Sequence, residues 1–433
     1  MLNKIKDNIF FKSAFLLLIG GTLTKIVGFI LKIIITRKIG TEGIAIYSLL
    51  SPTISLLTVI ATFSYPTALS KIISERQTNS KSLFYSTIIL SFIINIIVIL
   101  VTILFAPILS NNLLNESRLY YPIICISLTM PFISISSIIK GYFWGKQNMF
   151  PYMLSNFIEQ LTRLSLILFF LTKIFYKGLV FSICFLFIVN MIGEVVSQII
   201  MILFMPKKYL NFKNIKIDSK DIKSILNICI PCTSSKIIGS ISYFFEPIVL
   251  TNVLIFMGYS NEYVIYEYGI INAYALSLLL MPQFFTQNMS TALIPELSKH
   301  YSYGNKKMCK KRIKEILLVS CFIGLISTII ISVFPKFFLS TLYHTTEGYD
   351  YIKILSPFVI LFYVEYPLMS SLQALGKSKE AMKCTITSSI IRLCSIAILS
   401  LLKIGIYSYI LSIIVNLLVS TYLYYKEVKK VLT

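Results

Sequence analysis

The chain has 433 residues, 56% of them hydrophobic and 13% charged, with a mean hydropathy of +0.80 and a formal net charge of +22. That composition excludes a soluble globular domain, and the absence of alternating polar and apolar residues excludes a membrane β-barrel; what remains is an all-α integral membrane protein. Basic clusters such as KKYLNFKNIKIDSKDIK and GNKKMCKKRIK fall between apolar runs, so the charge reads as topology and contact with membrane lipids, with no nucleic-acid partner.

A hydrocarbon core of roughly 30 Å is crossed by about 20 helical residues. Apolar runs of that length predict twelve transmembrane helices, at 13–36, 44–70, 83–107, 120–143, 150–172, 178–204, 224–256, 264–295, 314–334, 350–374, 380–402 and 404–425. The first follows Lys4, Lys6 and Lys12 as a secretory leader would, but it is too long, lacks a small-residue cleavage site and runs on into TRKIGTEG, so it is expected to remain as a helix. Roughly two thirds of the 40 Lys and Arg lie in the N-terminus, the loops after even-numbered spans and the C-terminal tail, which puts both termini in the cytoplasm. Prolines in or at the ends of spans, among them Pro52, Pro66, Pro131, Pro282, Pro357 and Pro367, predict kinks.

An internal repeat organises these spans. TLTKIVGFI at 22–30 aligns without gaps to TSSKIIGSI at 233–241, matching Thr22 with Thr233, Thr24 with Ser235, Lys25 with Lys236 and Gly28 with Gly239. TALSK at 67–71 matches TALIPELSK at 291–299, and GKQNM, with Arg163 downstream, matches GKSKEAM, with Arg392 downstream. Three pairs in the same order predict two parallel six-helix repeats in a two-lobed bundle: an N-terminal lobe at 1–204, a basic cytoplasmic linker at 205–222 and a C-terminal lobe at 223–433. Such bundles are expected to bind substrate between the lobes and to alternate access by rocking.

The charged residues inside spans indicate the chemistry. Seven residues at about 100° each return within roughly 20°, so Lys25, Gly28 and Lys32 share one stripe of the first helix. A lysine at a helix centre costs about 2.5 to 3.5 kcal/mol, so Lys25 and Lys236 predict a water-filled or protein-lined cavity, whereas Lys32 lies near enough to a helix end to snorkel. The ligand for such groups is an anion; Thr22, Thr24, Thr233 and Ser235 add hydroxyl donors, and a diphosphate fits. Arg163 follows Glu159 by one turn, in the favourable order for an ion pair. Arg392 has Ser388 at the equivalent place and reads either as a cavity-lining group or as one bonded to helix carbonyls. Glu246 and Glu365 read either as ion- or proton-coupling groups or as partners of a buried cation.

Other chemistry finds little support. Cys229 and Cys232 form a lone CxxC with no second pair; His300 and His344, both expected in loops, have no carboxylate cluster with them; and no Gly-rich phosphate loop occurs. The 18 Asp and Glu include no paired cluster between spans that would hold a metal for a glycosyltransferase. No enzyme activity, metal or cofactor is expected.

TKIVGFILKIIITRKIGTEGIAIYSL, YPTALSKIISE and IKGYFWGKQNMFPYMLSNFIEQLTRL resemble segments of the stage V sporulation protein B family, within the polysaccharide flippase and multidrug/oligosaccharidyl-lipid/polysaccharide (MOP) exporter superfamily; TALIPELSKHYSYGN and SLQALGKSKEAM resemble its second half. The resemblance implies an alternating-access flippase of the bacterial cytoplasmic membrane that carries an undecaprenyl-diphosphate-linked glycan, a peptidoglycan precursor for the spore cortex, alongside glycan polymerases. Lys25 and Lys32 stand where relatives carry arginine, and the eighth span lacks the basic residue of lipid II flippases. Twelve spans stand against fourteen in many relatives, which implies that a lipid-tail groove built from extra helices is missing. A flippase for teichoic acid, capsule or O-antigen precursors fits the same pattern. A cation-coupled multidrug exporter of the same superfamily would place acidic groups where this chain has lysines.

Overall fold

The computed structural model describes residues 2–75, 80–146, 148–210 and 219–432, without the side chains of residues 2–19 and of a few others, Ser235 among them. Helix dominates, and no strand occurs among the described residues. In chain order the helices are α1 (Leu2–Thr62), α2 (Tyr65–Glu75), α3 (Ser80–Pro107), α4 (Tyr120–Gly145), α5 (Phe150–Phe175), α6 (Leu179–Leu203), the single turn α7 (Lys207–Leu210), α8 (Ser219–Phe256), α9 (Asn261–Ile270), α10 (Leu276–Leu280), α11 (Gln283–Ser302), α12 (Lys306–Val333), α13 (Pro335–Tyr343), α14 (Tyr349–Ala374), α15 (Ser378–Ser400) and α16 (Tyr407–Leu432).

Ten stretches among the described residues are long and apolar enough to cross a membrane. From Gly20 on, the first two expected spans run through one of them, the 55-residue stretch Gly20–Ser74, whose α1 leaves helical geometry at Gly40 (φ 70°, ψ −179°). α5 is not among the ten because Glu159, Gln160 and Arg163 interrupt its apolar run. The expected helix at 264–295 is three helices: a wide π turn at Ile271–Ala275 separates α9 from α10, and Met281 and Pro282 separate α10 from α11. Proline at 282 removes a backbone donor, which favours a break there.

The chain divides into two compact units, Met1–Ile39 with Leu50–Ile241, and Gly40–Leu49 with Ser242–Thr433. Each repeats one plan. In the first, α4 packs against α2, α3 and α6, and α6 against α5; in the second, α14 packs against α11, α12 and α16, and α16 against α15. Of the basic stretch expected as a linker, 211–218 lie outside the described residues.

Each unit has its own core. In the first, Tyr142 and Tyr209 (ring centroids 4.9 Å apart) meet Phe84 edge-on beside buried Tyr65, Ile138 and Cys229. The GYFWG segment of α4 presents Gly141 and Gly145 to α2; a Cβ on Gly141 would stand 2.7 Å from Pro66 Cα, so only a bare backbone permits this crossing. In the second, Leu297, Cys309, Ile313, Leu368 and Leu372 surround Tyr424, whose hydroxyl lies 2.7 Å from Thr385 Oγ1.

Candidate functional site

α1 runs alongside α5. Gly20 admits the Met153 side chain, Gly28 faces Gln160, and Lys38 Nζ donates to Leu168 O (3.1 Å) and Thr172 Oγ1 (2.6 Å) near the end of α5. Lys25 and Lys32 lie roughly 120 to 140° round the helix from the Gly20 and Lys38 side. Lys25 is exposed and Lys32 half-buried. Thr22 is half-buried, and Thr24 spends its hydroxyl on Gly20 O at 2.7 Å.

On α8, Thr233 is buried and donates to Ser64 Oγ at 3.1 Å, while Lys236 one turn on is exposed. The Ser235 side chain lies outside the described residues. Lys25, Lys32 and Lys236 all belong to the first unit, because α8 divides at Ile241 and Ser242. Lys25, Lys32 and Lys236 thus stand on helices otherwise apolar enough to span a bilayer.

Inside that unit the carboxylates are neutralised. Arg163 Nη2 lies 2.7 Å from Glu159 Oε1 and 3.4 Å from Glu194 Oε1, and Lys140 Nζ lies 3.9 Å from Glu194 Oε2. Three helices, α4, α5 and α6, meet in this cluster. Gly193 makes room for it: a Cβ there would stand 2.7 Å from Arg163 Nε, so the arginine lies across the bare backbone of α6.

The second unit holds a different cluster around the matching arginine. Arg392 Nη2 lies 2.8 Å from Glu246 Oε2, joining α15 to α8. The Tyr409 hydroxyl of α16 faces two acceptors, Asn272 Oδ1 at 3.3 Å and Glu246 Oε2 at 3.5 Å. Asn272 belongs to the π turn and donates to Tyr268 O at 2.9 Å; the Tyr268 ring packs on Tyr409 at 5.2 Å. Glu365 of α14 stands within electrostatic reach of Arg392. Among the described residues this cluster therefore sets two carboxylates against one guanidinium.

Lys140, Glu194, Tyr409 and Asn272 escaped the sequence reading. Glu194 and Lys140 had a signal, as ionisable residues within the spans at 178–204 and 120–143. Asn272 had none, since a π turn leaves no mark in composition.

Residues 10–301 match the polysaccharide biosynthesis protein family, and residues 271–398 match the MatE family. Stage V sporulation protein B of Bacillus subtilis (strain 168) is 29% identical over 435 residues, which cover 98% of this chain and 84% of that protein. In fold, an inward-facing multidrug resistance MATE family transporter of the MOP superfamily superposes with a TM-score of 0.77 over 94% of each chain, at 14% identity. Lipid II flippase MurJ in an inward closed conformation superposes with a TM-score of 0.73 over 95% of this chain and 87% of that one, also at 14% identity. The fold is that of the MATE and MurJ transporters, and since the first match spans well over half its residues, the chain belongs to the polysaccharide biosynthesis protein family.

Proposed function

We propose that this protein is a flippase of the bacterial cytoplasmic membrane that moves a lipid-linked, diphosphate-bearing glycan by alternating access, with both termini cytoplasmic. The observation that carries the reading is the lysine set of the first unit. Lys25 and Lys236 are exposed on apolar helices, whereas both carboxylates of the cluster on α4, α5 and α6 already face basic partners. Exposed ammonium groups on helices of this apolar character suit an anion such as a diphosphate. The relative named stage V sporulation protein B and the structural neighbour named as a lipid II flippase support a lipid-linked cell-wall precursor as the cargo; an undecaprenyl-diphosphate carrier and glycan polymerases as partners are what the family resemblance implies.

The second reading is a cation-coupled exporter, favoured by Glu246 and Glu365 sharing one arginine in the second unit. Coupling through these carboxylates is compatible with a flippase as well.

The test is transbilayer movement of a fluorescent undecaprenyl-diphosphate sugar in proteoliposomes containing wild type, Lys25→Ala, Lys236→Ala or the double variant. Movement in wild type that collapses in the double variant supports the reading. Equal movement in all four proteins, with each folded and inserted, sends the lysines back to a structural role; no movement in any, with export of organic cations instead, favours the exporter.

A further inference from the structure

Three connections of the second unit meet at one end, those after α8, before α14 and before α16. Tyrosines join them. Tyr259 Oη donates to Lys403 O at 2.6 Å, and Gly405 packs so closely on Tyr259 and Tyr263 that a Cβ would stand 3.1 Å from Tyr263 Oη. Tyr351 Oη donates to Glu267 Oε2 at 2.5 Å, and Tyr266 Oη to Glu347 Oε1 at 2.6 Å. Tyr259 and Tyr263 stack with centroids 5.6 Å apart and planes 22° apart. Tyr407 is 44% exposed and meets Tyr351 edge-on at 6.0 Å.

Tyrosines of a membrane-interface belt turn their hydroxyls to water and headgroups and their rings to acyl chains. Here the hydroxyls of Tyr259, Tyr266 and Tyr351 are instead tied to protein acceptors, so what these side chains have left to offer is ring surface. Beside the rings stand carboxylates: Glu262 is exposed, and Glu347 Oε2 is buried with no hydrogen-bond partner among the described residues. Carboxylates repel a diphosphate and accept hydroxyl protons. Aromatic faces carry negative charge density that attracts the C–H-lined face of a pyranose ring. The far end of the same unit is different in kind: its α11 to α12 turn is followed by exposed Lys306, Lys307, Lys310 and Lys311.

We propose that Tyr259, Tyr263, Tyr351 and Tyr407, with Glu262 and Glu267, form a saccharide-binding platform that takes neutral pyranose units of the transported glycan. The assignment rests on the flippase reading, under which this end faces outward and receives the sugar after the headgroup has crossed.

The probe is a soluble β-1,4-linked N-acetylglucosamine tetramer, titrated into the full-length protein in nanodiscs and followed by saturation-transfer NMR. Wild type is expected to bind it with a Kd on the order of 1 mM. Tyr263→Ala and Tyr407→Ala each weaken binding about tenfold, while Tyr263→Phe and Tyr407→Trp, which keep a ring, stay close to wild type. Tyr303→Ala, at the far end of the same unit and 77% exposed, leaves binding unchanged. No binding by wild type, or equal binding by Tyr407→Ala, whose exposed position leaves folding intact, overturns the platform. The diphosphate-lipid assay runs in parallel: flipping without tetramer binding overturns the platform alone, and tetramer binding without flipping overturns the flippase reading while leaving a saccharide site.

Discussion

Arg392 of α15 lies 2.8 Å from Glu246 of α8, whereas Arg163, its counterpart in the first repeat, pairs with Glu159 on its own helix at 2.7 Å and with Glu194 of α6 at 3.4 Å. A guanidinium inside a membrane span needs a counter-charge, and the two repeats draw it from different helices.

Breaking the second pair from one side is expected to be costly. Glu246→Ala leaves a buried guanidinium uncompensated, a loss of about 3 to 5 kcal/mol, while the double change Glu246→Leu with Arg392→Met removes both charges and restores most of the stability. Thermal unfolding of the detergent-solubilised proteins checks this. A Glu246→Ala protein that melts with wild type would mean the pair contributes nothing to the fold.

Two helical glycines should behave oppositely. Gly141→Ala puts a methyl 2.7 Å from Pro66 Cα at the crossing of α4 and α2, and is expected to destabilise by about 1 to 3 kcal/mol. Gly239→Ala meets nothing within 4 Å on α8 and is expected to be neutral or to stabilise by up to about 1 kcal/mol. The comparison of the two melting temperatures is the measurement, and equal shifts would contradict the crossing geometry.

The fold was legible where physics acts over long stretches. Twenty-residue apolar runs follow from the bilayer and the alignment of Lys25 with Lys236 from an internal repeat, and the paired helix packing of the two units answers to the same repeat. The i,i+4 spacing of Glu159 and Arg163 was legible too, because helix geometry alone brings such residues together. Partners between helices were not. Nothing at position 388 points Arg392 toward Glu246, and nothing near 194 points it toward Arg163, because those distances depend on how helices far apart in sequence pack. The break of the eighth span had a mark in Pro282, but its π turn had none.

Tyr409 offers a test of how tightly the second cluster is wired. Its single hydroxyl proton serves either Asn272 Oδ1 or Glu246 Oε2, and its ring packs on Tyr268. Tyr409→Phe keeps the ring and deletes the proton, so the expected loss of stability is only about 1 kcal/mol. Any dependence of transport on sodium or proton gradients is expected to change more than the rate measured without a gradient, since Glu246 loses a donor while the lysines of the first unit are untouched. Identical gradient dependence in the two proteins would disconnect Tyr409 from coupling.

Orientation can be read directly at two exposed tyrosines. Tyr176, 86% exposed, follows α5, and Tyr303, 77% exposed, follows α11. With the eight native cysteines replaced by alanine or serine, Tyr176→Cys should react with a membrane-impermeant maleimide on intact cells, and Tyr303→Cys only after permeabilisation. The positive-inside argument demands that result, because the turn at 303 leads into KKMCKKRIK while Tyr176 has only Lys173 and Lys177 beside it. The reverse labelling would invert the protein in the membrane, place the tyrosine platform on the cytoplasmic side, and turn it from a receiving surface for the glycan into a loading one.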